Sequence, residues 1–214
     1  MLKNNNAYTL AELLVSLAIF SVVIGSLMTI LISQNAFFSR ASASVEVGAN
    51  ARKVMSLMVK ELRLSKVDRV EVYDKNGNKY DKDTHPDGAD IYFKVPIDCD
   101  NDGDRFDVNG NIEWGCEGGL EWFIEYYFDE ANKRVMRRLL DASKIAQSET
   151  VIANNISGFL IQGFHYNFTN KIYEPDSACN VLRITITSER DSISGRILDT
   201  PLTYTLTNQV SWRN

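Results

Sequence analysis

No proline occurs before Pro86 in this chain of 214 residues, and the whole of it holds only two histidines and three cysteines. The missing prolines take the strongest helix breaker out of the N-terminal part, so one uninterrupted helix can run there. The two histidines, His85 and His165, sit in no metal or nucleophile motif, and His165, inside an aromatic strand segment, reads as a packed side chain. A G-x-S-x-G elbow, a P-loop, an H-E-x-x-H helix and a C-x-x-C pair are all absent from the sequence. Nothing in it therefore selects an enzyme. Positive charge is also short: 23 Lys and Arg face 28 Asp and Glu, a formal charge of -5. A chain of that balance has no general footprint for phosphate backbones, so nucleic acid is a disfavoured partner.

What is present is distributed unevenly. Leu13 to Ile32 reads LLVSLAIFSVVIGSLMTILI, twenty positions without a charge, the length that crosses a bilayer core of about 30 Å as a helix. Before it stands a short polar leader, MLKNNNA, with a positive charge at Lys3 that would hold this end in the cytoplasm. A secretory signal is cut after its apolar stretch, behind small residues. Here the small residue, Ala7, precedes the apolar stretch, so the stretch would survive a cut. Glu12 lies at its edge. A carboxylate there costs several kcal/mol unless it is paired, which makes it a functional candidate in need of a partner.

Residues Ala7-Tyr8-Thr9-Leu10-Ala11-Glu12-Leu13-Leu14 resemble the N-terminal signature of the type IV pilins and of the pseudopilins of type II secretion, a leader ending in a small residue before F-T-L-x-E-L-L. The match holds at Thr9, Leu10, Glu12, Leu13 and Leu14. It departs at Ala7, where the family usually has Gly, and at Tyr8, where it usually has Phe or Met. The resemblance implies that a prepilin peptidase removes residues 1–7 and methylates the new amine of Tyr8. It implies that Glu12 pairs with the N-terminal amine of a neighbouring subunit as the chain enters a filament. It also implies an inner-membrane assembly platform as partner, a cytoplasmic leader, an extracytoplasmic C-terminal domain, and a filament in the periplasm or on the cell surface.

Past Ile32 the helical pattern continues. Val47, Ala51, Val54 or Met55, Met58 and Leu62 recur at three- and four-residue spacing, an apolar stripe for a packed face. One helix from about Thr9 to about Leu64 is expected, within a helical region 8–66. From Val70 the pattern becomes short β-branched and aromatic runs separated by turn residues. VEVY (70–73), IYFKV (91–95), LEWFIEYYFD (120–129), RVMRRLL (134–140), GFLIQGFHYNF (158–168), VLRITITSER (181–190) and PLTYTLTNQVSW (201–212) predict a sheet of five to seven antiparallel strands. The fold class is α+β, a long helix laid on a β-rich domain of residues 67–214. The last third also resembles the larger minor pilins of the W type and the J-type minor pseudopilins, in Asn155-Ile156-Ser157-Gly158-Phe159, Val181 to Thr187 and the ending Trp212-Arg213-Asn214. That resemblance implies a place in an initiating or tip complex.

The run DCDNDGDRFD sets Asp98, Asp100, Asp102, Asp104 and Asp107 within ten residues, with Gly103 among them. Alternating acids and a glycine match the opening of a calcium loop, although the closing glutamate is missing, since Asn109 stands at its position and Glu113 lies too far along. A solvated acidic turn is the competing reading. Of three pairings open to Cys99, Cys116 and Cys179, Cys99 with Cys116 closes the shortest loop, across the acidic segment 98–116; three unpaired cysteines are the alternative. Two functional classes remain: a filament subunit that depends on Tyr8 and Glu12, and a membrane-tethered binding or sensing domain that does not.

Overall fold

The computed structural model describes residues 9–80, 88–99, 102–103, 105–106, 109–114, 123–167, 172–175, 181–190 and 201–212. Helix α1, Leu10–Leu62, is 53 residues long, about 80 Å at 1.5 Å per residue. It starts at Thr9, whose extended backbone and side chain form the N-cap. It stops two residues short of the expected Leu64. Leu64 N–H and Ser65 N–H turn to the carbonyls of Glu61 and Leu62, a tightening that ends the helix before a 3-10 turn at Val67–Arg69.

The two halves of α1 live in different surroundings. From Leu10 to Ser42 every residue is exposed, whereas Ala43, Val47, Ala51, Val54, Met58 and Leu62 are buried against the rest of the chain. That is the stripe the spacing predicts. Burying each of its larger side chains contributes about 1.5–3 kcal/mol, so the second half is a structural member of the domain.

Among the described residues nine strands follow rather than five to seven, and they form two sheets rather than one. The first holds β1 (Val70–Tyr73), β2 (Asp90–Lys94), β3 (Phe123–Asp129), β4 (Arg134–Leu140) and β5 (Ala146–Asn154), in that order. The second holds β6 (Ile156–Asn167), β7 (Ile172–Pro175), β8 (Val181–Arg190) and β9 (Leu202–Ser211), ordered β7-β6-β8-β9. All pairings are antiparallel. β3 and β4 form a hairpin, in whose turn Asp129 accepts from Asn132 N–H at 3.2 Å and from Arg134 Nε at 2.8 Å, while Lys133 takes φ 50°. The unanticipated break between the sheets falls on one residue. Asn155 has φ 59°, and its carbonyl accepts from Ser188 Oγ at 2.8 Å and Glu189 N–H at 2.7 Å. Asparagine tolerates the left-handed region better than other residues with a side chain, so the chain can leave one sheet and enter the other there.

One core joins α1 to both sheets, with Phe93, Ile91 and Tyr126 from the first and Ile161, Leu182, Ile184 and Ile186 from the second. A clamp crosses it. Glu61 of α1 accepts from Tyr126 Oη at 2.6 Å and meets Arg137 Nη2 at 3.0 Å. The sheets touch at Gly88, whose N–H donates to Ile161 O at 3.0 Å. A Cβ on Gly88 would stand 2.3 Å from Val72 Cγ1 and 2.7 Å from Ile161 O. The backbone oxygen cannot swing away as a side-chain tip could. Gly88→Ala is expected to lower stability by about 1–3 kcal/mol, as overpacking does, with a matching fall in the denaturant midpoint at unchanged slope.

Candidate functional site

Glu12 and Thr9 cap the helix reciprocally. Thr9 Oγ1 accepts from Glu12 N–H at 3.3 Å, and Glu12 Oε2 accepts from Thr9 N–H at 3.0 Å and from Thr9 Oγ1 at 3.1 Å. This is a capping box, which satisfies two donors that the helix end would otherwise leave bare. Both contacts go to Oε2, and Oε1 has no hydrogen bond among the described residues. A bound carboxylate oxygen and an open one, fixed at the head of an apolar helix, make a preset acceptor for a cation. The pattern T-x-x-E over Thr9 to Glu12 is the sequence signature of this cap. Ala7 and Tyr8 lie outside the described residues.

The segment behind Glu12 has its polar groups closed inward. Ser16, Ser21 and Ser26 donate to the carbonyls of Glu12, Leu17 and Val22 at 2.8 Å, and Thr29 to that of Gly25 at 2.9 Å. Each bond runs four residues back, leaving no hydroxyl seeking water. The surface offered outward is Leu13, Leu14, Val15, Leu17, Ile19, Phe20, Val22 and their successors to Ile32. With a mean hydropathy of 2.5 and none of its apolar window buried, this helix is long and apolar enough to cross a bilayer.

The acidic loop is described in part. Asp98, Cys99 and Asp102 are placed, while Asp100, Asp104, Asp107 and Cys116 lie outside the described residues, as does Cys179. Cys99 is in a disulfide. Asp98 Oδ2 accepts from Gly103 N–H at 3.1 Å, and Gly103 takes φ 95°, so the glycine serves the turn as its position predicts. Asp98 Oδ1 is buried with no hydrogen-bond partner among the described residues. Glu113, too distant in sequence for a standard loop, is folded back so that its carboxylate accepts from Cys99 N–H at 2.7 Å. Among the described residues no three metal-ligating side chains come together.

A second titratable cluster lies on the face of the first sheet opposite α1, and sequence reading missed it. Glu125 is buried and meets Arg138 at 3.5 Å. Asp90, on the neighbouring strand, faces Glu125, Arg138 and, more remotely, Asp74. Burial first, and the Glu125 charge second, push Asp90 from 3.8 to about 7. The folded state therefore holds this proton more tightly than the unfolded chain. Its contribution to stability is complete below about pH 4 and is lost as pH rises toward 7. Asp90→Asn is expected to melt progressively higher than the wild type across that interval. The gain should reach several degrees above pH 7, about 1–2 kcal/mol once partial exposure is discounted. Thermal scans from pH 4 to pH 8 check it.

Comparison with known proteins adds one finding at the site described first. Residues 2–28 match the prokaryotic N-terminal methylation motif. Neither characterised proteins nor solved structures give a match to the chain. The matched residues include the capping box and most of the exposed apolar segment, so the chain carries a prepilin-type N-terminal motif at the head of a helix long and apolar enough to cross a membrane.

Proposed function

We propose that the chain is a minor pilin or pseudopilin that assembles through α1 into a type IV pilus or a type II secretion pseudopilus, in its initiating or tip complex. The observation that carries this reading is the methylation-motif match over residues 2–28, centred on a Glu12 carboxylate with one bound and one open oxygen. On this reading residues 1–7 are a cytoplasmic leader, 8–66 the long helix with its membrane segment at about 13–32, and 67–214 the extracytoplasmic domain. A prepilin peptidase cuts after Ala7 and methylates Tyr8. The methylated amine stays cationic, and Glu12 of an adjoining subunit receives it, so two charges that would be stranded among apolar helices neutralise each other. Mass spectrometry of the mature chain tests this. A start at N-methyl-Tyr8 is expected; an intact Met1 would leave the tethered binding or sensing domain, and a cut beyond Ile32 would remove the anchor altogether.

The same proposal extends to calcium at Asp98, Asp100, Asp102, Asp104 and Asp107, beside a Cys99–Cys116 disulfide. The alternating acids support it, as does Asp98 Oδ1, buried and without a hydrogen-bond partner among the described residues, since a buried carboxylate oxygen with no donor is costly without a counter-ion. Titration of the full chain in detergent with calcium chloride should release or absorb heat, and chelation should lower the melting temperature. No heat together with an unchanged melting temperature would remove the calcium site.

A further inference from the structure

We infer that β9 is a strand-addition site: its outer edge takes an extended, uncharged segment of an adjacent filament subunit, running antiparallel to β9 and toward the membrane. This rests on the filament reading above. The two described sheets end in four strands, and three of these are blunted. β7 covers β6 only from Phe164 to Asn167, and the rest of that edge of β6 is interrupted by the bridge of Ile161 to Gly88 and by the register shift between Ile156 and Gly158. β1 and β7 are four residues each, and β7 closes on Pro175. β5 is nine residues long but is broken by two register shifts against β4 and carries Glu149 in its exposed part. Short strands, irregular register, charge and proline are the devices that keep sheet edges from pairing with other chains.

β9 has none of them. LTYTLTNQVS contains no charge and no proline, and it pairs with β8 without a shift through ten consecutive residues. Beyond that ladder the one backbone bond it makes among the described residues is from Gln209 N–H to Asn208 Oδ1, 2.8 Å, near its end. Thr203, Thr205 and Thr207 are exposed. Thr205 and Thr207 belong to a hydroxyl ladder already begun, Thr185 to Thr207 at 3.1 Å and Thr187 to Thr205 at 3.2 Å, and a further strand would extend it.

The direction follows from contacts with α1. Arg190, the register partner of Leu202, pairs with Glu46. Arg52 lies 5.7 Å from the Tyr204 ring, and Trp212 Nε1 donates to Leu62 O at 3.2 Å. β9 thus runs alongside α1 in the same sense, away from the apolar segment. Because the four-stranded sheet is antiparallel throughout, its other edge strand runs the opposite way. Subunits whose anchors share one bilayer can then continue the antiparallel pattern, edge to edge, only through a strand that descends toward the membrane. Antiparallel pairing of β9 with β9 of a second copy would reverse one anchor against the other, which a common bilayer forbids.

The test uses the full chain in cells that assemble the filament, with benzoylphenylalanine placed at Thr205, Thr207 or, as a control, exposed Thr150 of β5. Irradiation is expected to join positions 205 and 207, and not 150, to a strand of another chain bearing a prepilin N-terminus. In a Thr205→Lys/Thr207→Lys variant, incorporation should fall about tenfold or more, with leader removal intact and the melting temperature within a few degrees, since both side chains face solvent. Normal incorporation of that variant, adducts equally strong from position 150, or an adduct to β9 of a second copy would each overturn the inference. A chain that is processed and Glu12-dependent yet gives no β9 adduct sinks strand addition alone. An intact Met1 sinks the filament reading beneath it.

Discussion

Glu12→Gln is expected to abolish filament incorporation while leaving leader removal, membrane insertion and the helix start in place. Glutamine can accept from Thr9 N–H as glutamate does, so the capping box survives and only the charge is lost. On the proposed function, what disappears is the partner of an amine that assembly carries into apolar surroundings. Stranding one charge there costs about 2.5–3.5 kcal/mol, which is about a hundredfold in the assembly equilibrium. Glu12→Ala removes both the charge and the cap and should fail as badly, with some added fraying over the first turn of α1. The comparison decides between two roles for one side chain. If Glu12→Gln assembles like the wild type and Glu12→Ala does not, Glu12 serves the helix end and the charge-pair mechanism is wrong. Quantifying the variant in sheared filaments against the membrane fraction is the measurement.

The second large effect is expected at Glu61. Its carboxylate takes the Tyr126 hydroxyl at 2.6 Å and the Arg137 guanidinium at 3.0 Å, and the Glu61 and Arg137 side chains are only 17% and 24% exposed. Tyr126 is fully buried, and burial first, then the Glu61 carboxylate, raise its pKa, so it remains a donor at any physiological pH. Removing Glu61 leaves a half-buried cation and a buried hydroxyl without their acceptor. Breaking a buried pair costs about 3–5 kcal/mol, and the partial exposure here points to the lower end of that range. Glu61→Ala should therefore lower the melting temperature by roughly 6–12 °C for a domain of this size. Glu61→Ala combined with Arg137→Leu should recover part of the loss, because no orphaned charge remains. A double variant no more stable than Glu61→Ala would show that the clamp is not where the energy lies.

These two residues mark the limits of what the sequence made legible. Glu12 could be found because an acid beside twenty uncharged positions is anomalous in itself. Glu61 could not, because a glutamate beside Lys60 and Arg63 on a periodic helix looks like any solvated face, and its partners lie 65 and 76 residues away. The helix, its buried stripe and seven of the nine strands could be read from period and turn chemistry. β5 escaped because its first six residues, AQSETV, are exposed at a sheet edge and lack the alternation that half-burial imprints. β7, a four-residue strand ending in proline, is too short for any periodicity to register. The division into two sheets depends on the left-handed Asn155 and on the close approach at Gly88, and neither is a pattern. In the acidic loop the run of aspartates was evident, but the return of Glu113 to the Cys99 amide is a tertiary fact that spacing alone argued against.

The inward-bonded hydroxyls of Ser16, Ser21, Ser26 and Thr29 bear on how such a helix changes places. Moving it out of lipid and into a sheath of neighbouring helices is a transfer between two oily media, and its free energy is small only if nothing polar must exchange partners on the way. Four of the hydroxyls already carry their partners within the helix. If the chain assembles as proposed, the apolar stretch can therefore partition between bilayer and filament with little preference of its own. The balance between storage in the membrane and growth of a fibre is then left to the few polar atoms at its head, where a single proton or methyl group can tip it.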